Sequence, residues 1–104
     1  MGADEAAEQL LGVVASGRIA FAQVFSYRIG DNYEHECIAS GLTVSREHTL
    51  GLHRHGDAMR CVTHFPPEMV PAGYHDRVTD TGVVPIGLEF RLADVVSITE
   101  RDPA

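Results

Sequence analysis

Six histidines fall between His35 and His75 of a 104-residue chain, and two of them open the string His53-Arg54-His55-Gly56-Asp57. Histidines at i and i+2 of a strand share a face with Cα atoms about 7 Å apart, close enough for both rings to reach one metal ion. Gly56-Asp57 suits a two-residue hairpin turn with glycine first. That turn pairs His55 with Ala58, Arg54 with Met59, His53 with Arg60 and Leu52 with Cys61. Leu50, Leu52, Met59, Cys61 and Phe65 then form a core face, and His53, His55, Arg60 and His64 a wet one. A one-residue slip would mix the two sets, so the pattern itself selects the register.

The same register argues against the metal. Arg60 lies opposite His53, and a guanidinium beside a divalent cation is unfavourable unless a carboxylate intervenes. His64 is four residues further on, about 13 Å along the strand, so a third ligand would come from His75, Asp76, Glu34 or His35. The HxHxD string resembles that of metallo-β-lactamase-type hydrolases over five residues. Ala58 stands where that pattern continues with histidine, and the chain is too short for that fold, so the resemblance implies no hydrolase here. A cupin-like site lacks its downstream glutamate.

Other chemistries have less support. His75-Asp76 are adjacent, a spacing that seldom gives the hydrogen bond of a catalytic triad. Cys37 and Cys61 have no CxxC spacing, and the core position of Cys61 raises its thiol pKa. There is no GxSxG elbow. The absence of lysine removes Schiff-base chemistry, and Arg18-Ile19 stands where a phosphate loop beginning at Gly12 needs Lys-Ser/Thr. The all-arginine usage itself reads as codon bias. Imidazole and guanidinium groups do contact carboxylates, phosphates and aromatic rings. The candidate binding residues are therefore His53, His55, Arg60 and His64, joined by His75 and Asp76 beyond the proline-rich stretch.

Positioning these residues requires a sheet. Asp4 to Ser16 reads as a helix with Ala7, Leu10, Leu11 and Val14 on one face, stopped by Gly17. From Ile19 the period becomes two. Ile19, Phe21, Phe25, Tyr27 and Ile29 alternate on one face, and Ala20, Ala22 and Val24 keep the other apolar, which predicts a strand covered on both sides. Gly30-Asp31-Asn32 marks a turn. Tyr33 to Ser40 reads as a second strand, continued to Ser45 past a kink or bulge at Gly41. Pro66 to Gly73 is an ordered surface loop, because proline removes backbone donors. Ile86, Leu88, Phe90 and Leu92 alternate as a further strand, Val95 to Thr99 form the last, and a tail begins at about Arg101. The expected fold is α+β: one domain, residues 1–104, with the N-terminal helix packed on a small antiparallel, strongly bent sheet or barrel of about five or six strands.

Composition narrows the function classes. The formal net charge is −7, which disfavours nucleic-acid binding by counterion release. No apolar run is long enough to span a bilayer. The acidic start, Met1-Gly2-Ala3-Asp4-Glu5, is unlike a signal peptide, so a cytoplasmic protein with reduced cysteines is expected. The leading expectation is a small acidic, soluble, non-enzymatic binding or regulatory module acting by protein–protein contact or self-association, such as an inhibitor, an immunity or antitoxin-like protein or an assembly subunit. It would hold no cofactor. The alternatives are a metal-binding protein or metal-dependent enzyme that holds a divalent transition metal on His53 and His55, and a small-ligand binder using the barrel mouth.

Overall fold

The computed structural model describes residues 2–101, apart from the side chains of Ala39 and Ser40. Helix α1 spans Ala3–Ala15 and buries Ala6, Ala7, Leu10 and Val13. The buried stripe is turned by one position from the expected one: Leu11 and Val14 lie half-buried at its margin. Gly17, at φ +72°, ends the helix in a Schellman motif. The Arg18 amide donates to the Val13 carbonyl at 3.0 Å and the Gly17 amide to Val14 at 3.3 Å. The last turn has no basic residue of its own. Arg46 supplies the cation from elsewhere, donating to the Ala15 carbonyl at 2.9 Å.

Six strands follow among the described residues: β1 Ile19–Ile29, β2 His35–Val44, β3 Leu50–His55, β4 Ala58–Phe65, β5 Val84–Arg91 and β6 Val95–Arg101. They form an antiparallel sheet in the order β2-β1-β5-β4-β3, with β6 also on β1. One edge of β1 pairs with β2 along its length. The other pairs with β6 from Ile19 to Val24 and then with β5 at Arg28 and Ile29. The sheet changes partner at that handover and does not close into a barrel, because β2 and β3 end the strand order without pairing among the described residues. Helix α1 touches β1, β2, β3 and β6, so it spans both ends of the open sheet.

The expected alternation of β1 fails in an informative way. Ala20, Ala22 and Val24 are buried in its first half and Tyr27 and Ile29 in its second, while Phe21 and Phe25 are 45% and 65% exposed. The partner strand changes face too, from Leu42 and Val44 to Cys37. The β1–β2 register is the same from Ala20↔Val44 to Ile29↔His35, so no inserted residue causes the change. Strands twist, and β1 turns its opposite face to the core between the stretch paired with β6 and the stretch paired with β5. Gly41 therefore marks no kink. It admits the Phe21 ring, which would lie 2.0 Å from a Cβ at that position.

Three further differences have local causes. The hairpin pairs His55, Arg54 and His53 as expected, but Gly51, at φ +66°, inserts a bulge, so Leu50 pairs with Val62 rather than joining the core face. Both side chains of that pair are more than 40% exposed. The proline-rich stretch forms 3-10 turns at Pro67–Met69 and Ala72–Arg77, with Pro67 at the first position of one and Pro71 capping the other. Arg101 belongs to β6, and the rest of the expected tail, 102–104, lies outside the described residues.

The rotated helix stripe separates two adjacent leucines. Leu10→Ala should lower the unfolding free energy by about 2–5 kcal/mol, the usual range for a fully buried leucine. Leu11→Ala should have a clearly smaller effect. Urea denaturation of the two variants measures the difference, and equal losses would contradict this packing.

Candidate functional site

The outer face of the β3–β4 hairpin carries His53, His55, Arg60 and His64, as their spacing predicts; the three histidines are exposed and Arg60 is half-buried. Strand register extends the pattern beyond the hairpin. His53 opposes Arg60, Arg60 opposes Glu89, Glu89 opposes Arg28 and Arg28 opposes Glu36. A row with two arginines alternating with two glutamates thus crosses five strands. Arg60 Nε donates to Glu89 Oε2 at 2.7 Å, and its guanidinium lies 4.7 Å from the Tyr33 ring centroid. Arg28 and Glu36 approach to 3.7 Å. Arg60 is therefore held by a carboxylate and a ring on the side away from β3. A cavity of about 150 Å³ opens beside Arg28, Glu36, Glu89, Arg91 and Asp94; its mixed charges favour no ion of either sign.

The remaining expected site residues are placed elsewhere. His53 Nδ1 donates to the Gly51 carbonyl at 2.8 Å, which leaves Nε2 as its outward nitrogen. His75 Nε2 lies 2.8 Å from the Pro67 carbonyl and 3.2 Å from that of Val70. Carbonyls only accept, so this ring is a donor that clips two turns together. Asp76 is exposed next to Arg77. Glu34 and His35, considered as metal ligands, are 3.5 Å apart and gather round Tyr74 rather than His53. Among the described residues no three His, Cys, Asp or Glu side chains are placed to hold a metal ion.

Two features are absent from the local sequence signals. The first ties the β1–β2 turn to the 3-10 turn Ala72–Arg77. The Tyr74 hydroxyl donates to Glu34 Oε1 at 2.5 Å and accepts the Asp31 amide at 3.2 Å. The Arg77 guanidinium forks onto Asp31 at 2.7 and 2.8 Å and covers the Tyr74 ring at 4.8 Å. The Arg77 hydrogen bonds hold the Asp31 carboxyl below its ordinary pKa. The Tyr74 hydroxyl, helped by the Asn32 amide, does the same for Glu34, and the Glu34 hydrogen bond pushes the Tyr74 phenol up. Tyr33, in this turn, has φ +54°. That left-handed conformation is uncommon for an aromatic residue and aims its ring across Gly87 to Arg60.

The second feature is the outer face of β6-β1-β2. Phe21, Gln23 and Phe25 project from β1, flanked by Thr43 and Gly41 of β2 and by Thr99 and Ser97 of β6. None of these residues is charged. The bulge in β6 beside them exposes Val96. An exposed, uncharged face with two phenylalanines is more informative than polar residues on a wet face. A sequence-level signal did exist: Thr43, Thr99 and Ser97 are all polar, unlike residues that would cover a buried Phe21. Reading it required the pairing of the first strand with the last. No protein-family model, curated protein or solved structure matches this chain.

The Tyr74 cluster predicts a pH profile. Asp31 and Glu34 bind protons less tightly when folded, so their stabilisation is full above their ordinary values of 3.8 and 4.5 and is lost as pH falls through the lower native ones. Tyr74 binds its proton more tightly, so its contribution holds below the ordinary value of 10.0 and is lost as pH rises through the native one. Melting temperatures measured across pH should fall at both extremes, and Tyr74→Phe should flatten both limbs while leaving the Asp31–Arg77 part of the acid limb. A profile superposing on the wild type would show that the Tyr74–Glu34 bond is not made in solution.

Proposed function

We propose that this protein is a non-enzymatic contact module whose partner surface is the uncharged patch around Phe21, Gln23 and Phe25 on the outer face of β6-β1-β2. The observation that carries this reading is the exposure of Phe21 and Phe25 on a central strand already paired on both edges. Aromatic residues on a rigid backbone are the usual anchors of protein interfaces, because they bury area at little entropic cost. A face without charge makes no electrostatic choice of a basic partner. It also does not repel a second copy of a chain that carries −7. No helix among the described residues is long and apolar enough to cross a membrane. A cytoplasmic setting agrees with two free cysteines, of which Cys61 is buried with its thiol pushed up to about 12.

The histidine face is the competing surface, and the rival metal reading rests on it. Its central arginine is engaged by Glu89 and Tyr33, which favours a structural part for Arg60. One comparison separates the two. Sedimentation velocity and affinity purification from native extract should find the wild type in an assembly, with itself or with a partner. Phe25→Asp should weaken that assembly by about thirtyfold, the equivalent of about 2 kcal/mol for an aromatic anchor. His53→Ala/His55→Ala should leave it intact. A wild type that is monomeric and partnerless overturns the reading. So does stoichiometric metal in untagged protein that is lost in the double histidine variant.

A further inference from the structure

A cavity of about 180 Å³ lies in the seam where β2 and β4 face each other without pairing. We propose that it is a binding site for a small carboxylate carrying one ring or a short branched chain. The size argument is direct, because an apolar cavity of about 150 Å³ holds a benzene molecule. The walls divide by chemistry: Leu42, Phe65 and Leu88 supply apolar surface, and His48, His64 and Thr63 supply polar groups. No aspartate, glutamate or arginine lines it. In a chain with 15 acidic residues, a cavity free of carboxylates accepts an anion without direct repulsion. The apolar wall disfavours inorganic phosphate or sulfate, whose charge would be left poorly solvated there.

The donors are held in place before any ligand arrives. Ser45 is fully buried, and its Oγ accepts the His48 amide at 3.1 Å while standing 2.7 Å from His48 Nδ1. The buried hydroxyl has one proton to give and no other acceptor among the described residues, so it is placed to donate to Nδ1, which leaves the ring hydrogen on Nε2. That assigns His48 Nε2 as a donor, with the ring fixed by a buried serine. Thr49 closes the same turn from the other side: its amide and its hydroxyl both donate to the Ser45 carbonyl, at 3.0 and 2.7 Å. His64 makes no hydrogen bond or ion pair among the described residues, so its imidazole is available at the rim. The His48 imidazole and the Thr63 hydroxyl supply one donor for each oxygen of a carboxylate, with the ligand's apolar body against Leu42, Phe65 and Leu88 and His64 on the outer side of the opening.

The probes are benzoate, and benzyl alcohol as its uncharged counterpart of similar size, titrated into ¹⁵N-labelled protein and followed by amide chemical shifts. Benzoate should give saturable shifts confined to residues 41–43, 48–49, 63–65 and 88, and should bind at least about tenfold more tightly than benzyl alcohol. His48→Gln/His64→Gln should lose most of that preference while its amide spectrum stays folded. Phe25→Asp should bind benzoate as the wild type does, so this site and the contact face can fail separately. Equal binding of the two probes would reduce the cavity to a hydrophobic hole and overturn the carboxylate assignment. So would shifts centred elsewhere, no saturation, or an unchanged preference in the double variant. If His48→Gln/His64→Gln does not fold, Thr63→Val alone makes the same comparison.

Discussion

Strand β1 has to present first one face and then the other to a single core. It buries Val24 on one side and Tyr27 on the other within three residues, while β2 follows it in unbroken register. Everything else accommodates that turn. The half bearing Ala20, Ala22 and Val24 needs a cover on one face only, which α1 provides with Leu10 and Val13. The half bearing Ile29 joins the face formed by Leu88 and Cys61 through β5 and β4. The outward side of the first half is left with Phe21 and Phe25, and that of the second half with Arg28. The apolar face and the charged row are thus two results of a single reversal.

The part of this arrangement that could be read in the sequence was the part set by neighbours along the chain. The hairpin around Gly56-Asp57 was legible because a two-residue turn fixes the register of the residues beside it, and three of its four expected pairs are present. The fourth was lost to Gly51, whose left-handed backbone a glycine permits but does not announce. Phe21 and Phe25 were misassigned because alternation shows that two residues share a face, without showing which face meets the core. Arg60 was legible as outward-facing, but its engagement depends on Glu89 and Tyr33, 29 and 27 residues away in sequence. The place of His48 was not legible, because it depends on a seam between strands that do not pair among the described residues.

The two ends of the strand order are handled differently. β3 is short, bulged at Gly51, and carries Arg54 on the side of buried Met59, where it reaches Asp4 of the helix at 2.6 Å. A bulge and an inward charge are the usual means of keeping an edge from recruiting another chain. Beyond Val62 the strand β4 has no β3 partner, and this is where the seam cavity begins. The exposed ion pairs across the sheet add little stability individually, so their main effect is on which surfaces can meet. The charged row crosses the sheet at Arg28 and Glu36, and none of the paired residues around Phe21 and Gln23 is charged, which gives a small acidic protein one patch on which contact is not opposed.

The pairing of Ile19 with Arg101 also has a consequence for synthesis. A ribosome releases β1 and β2 first, and they can associate as an isolated ribbon, which is marginal in water. The edge of β1 that β6 will occupy has no partner until the last described residues of the chain have emerged. Such non-local closure slows folding, since the loop entropy is lost before the contacts form. During that interval Ala20, Ala22 and Val24 have only the helix to cover them. The helix precedes them in the chain, so their cover is made before they are.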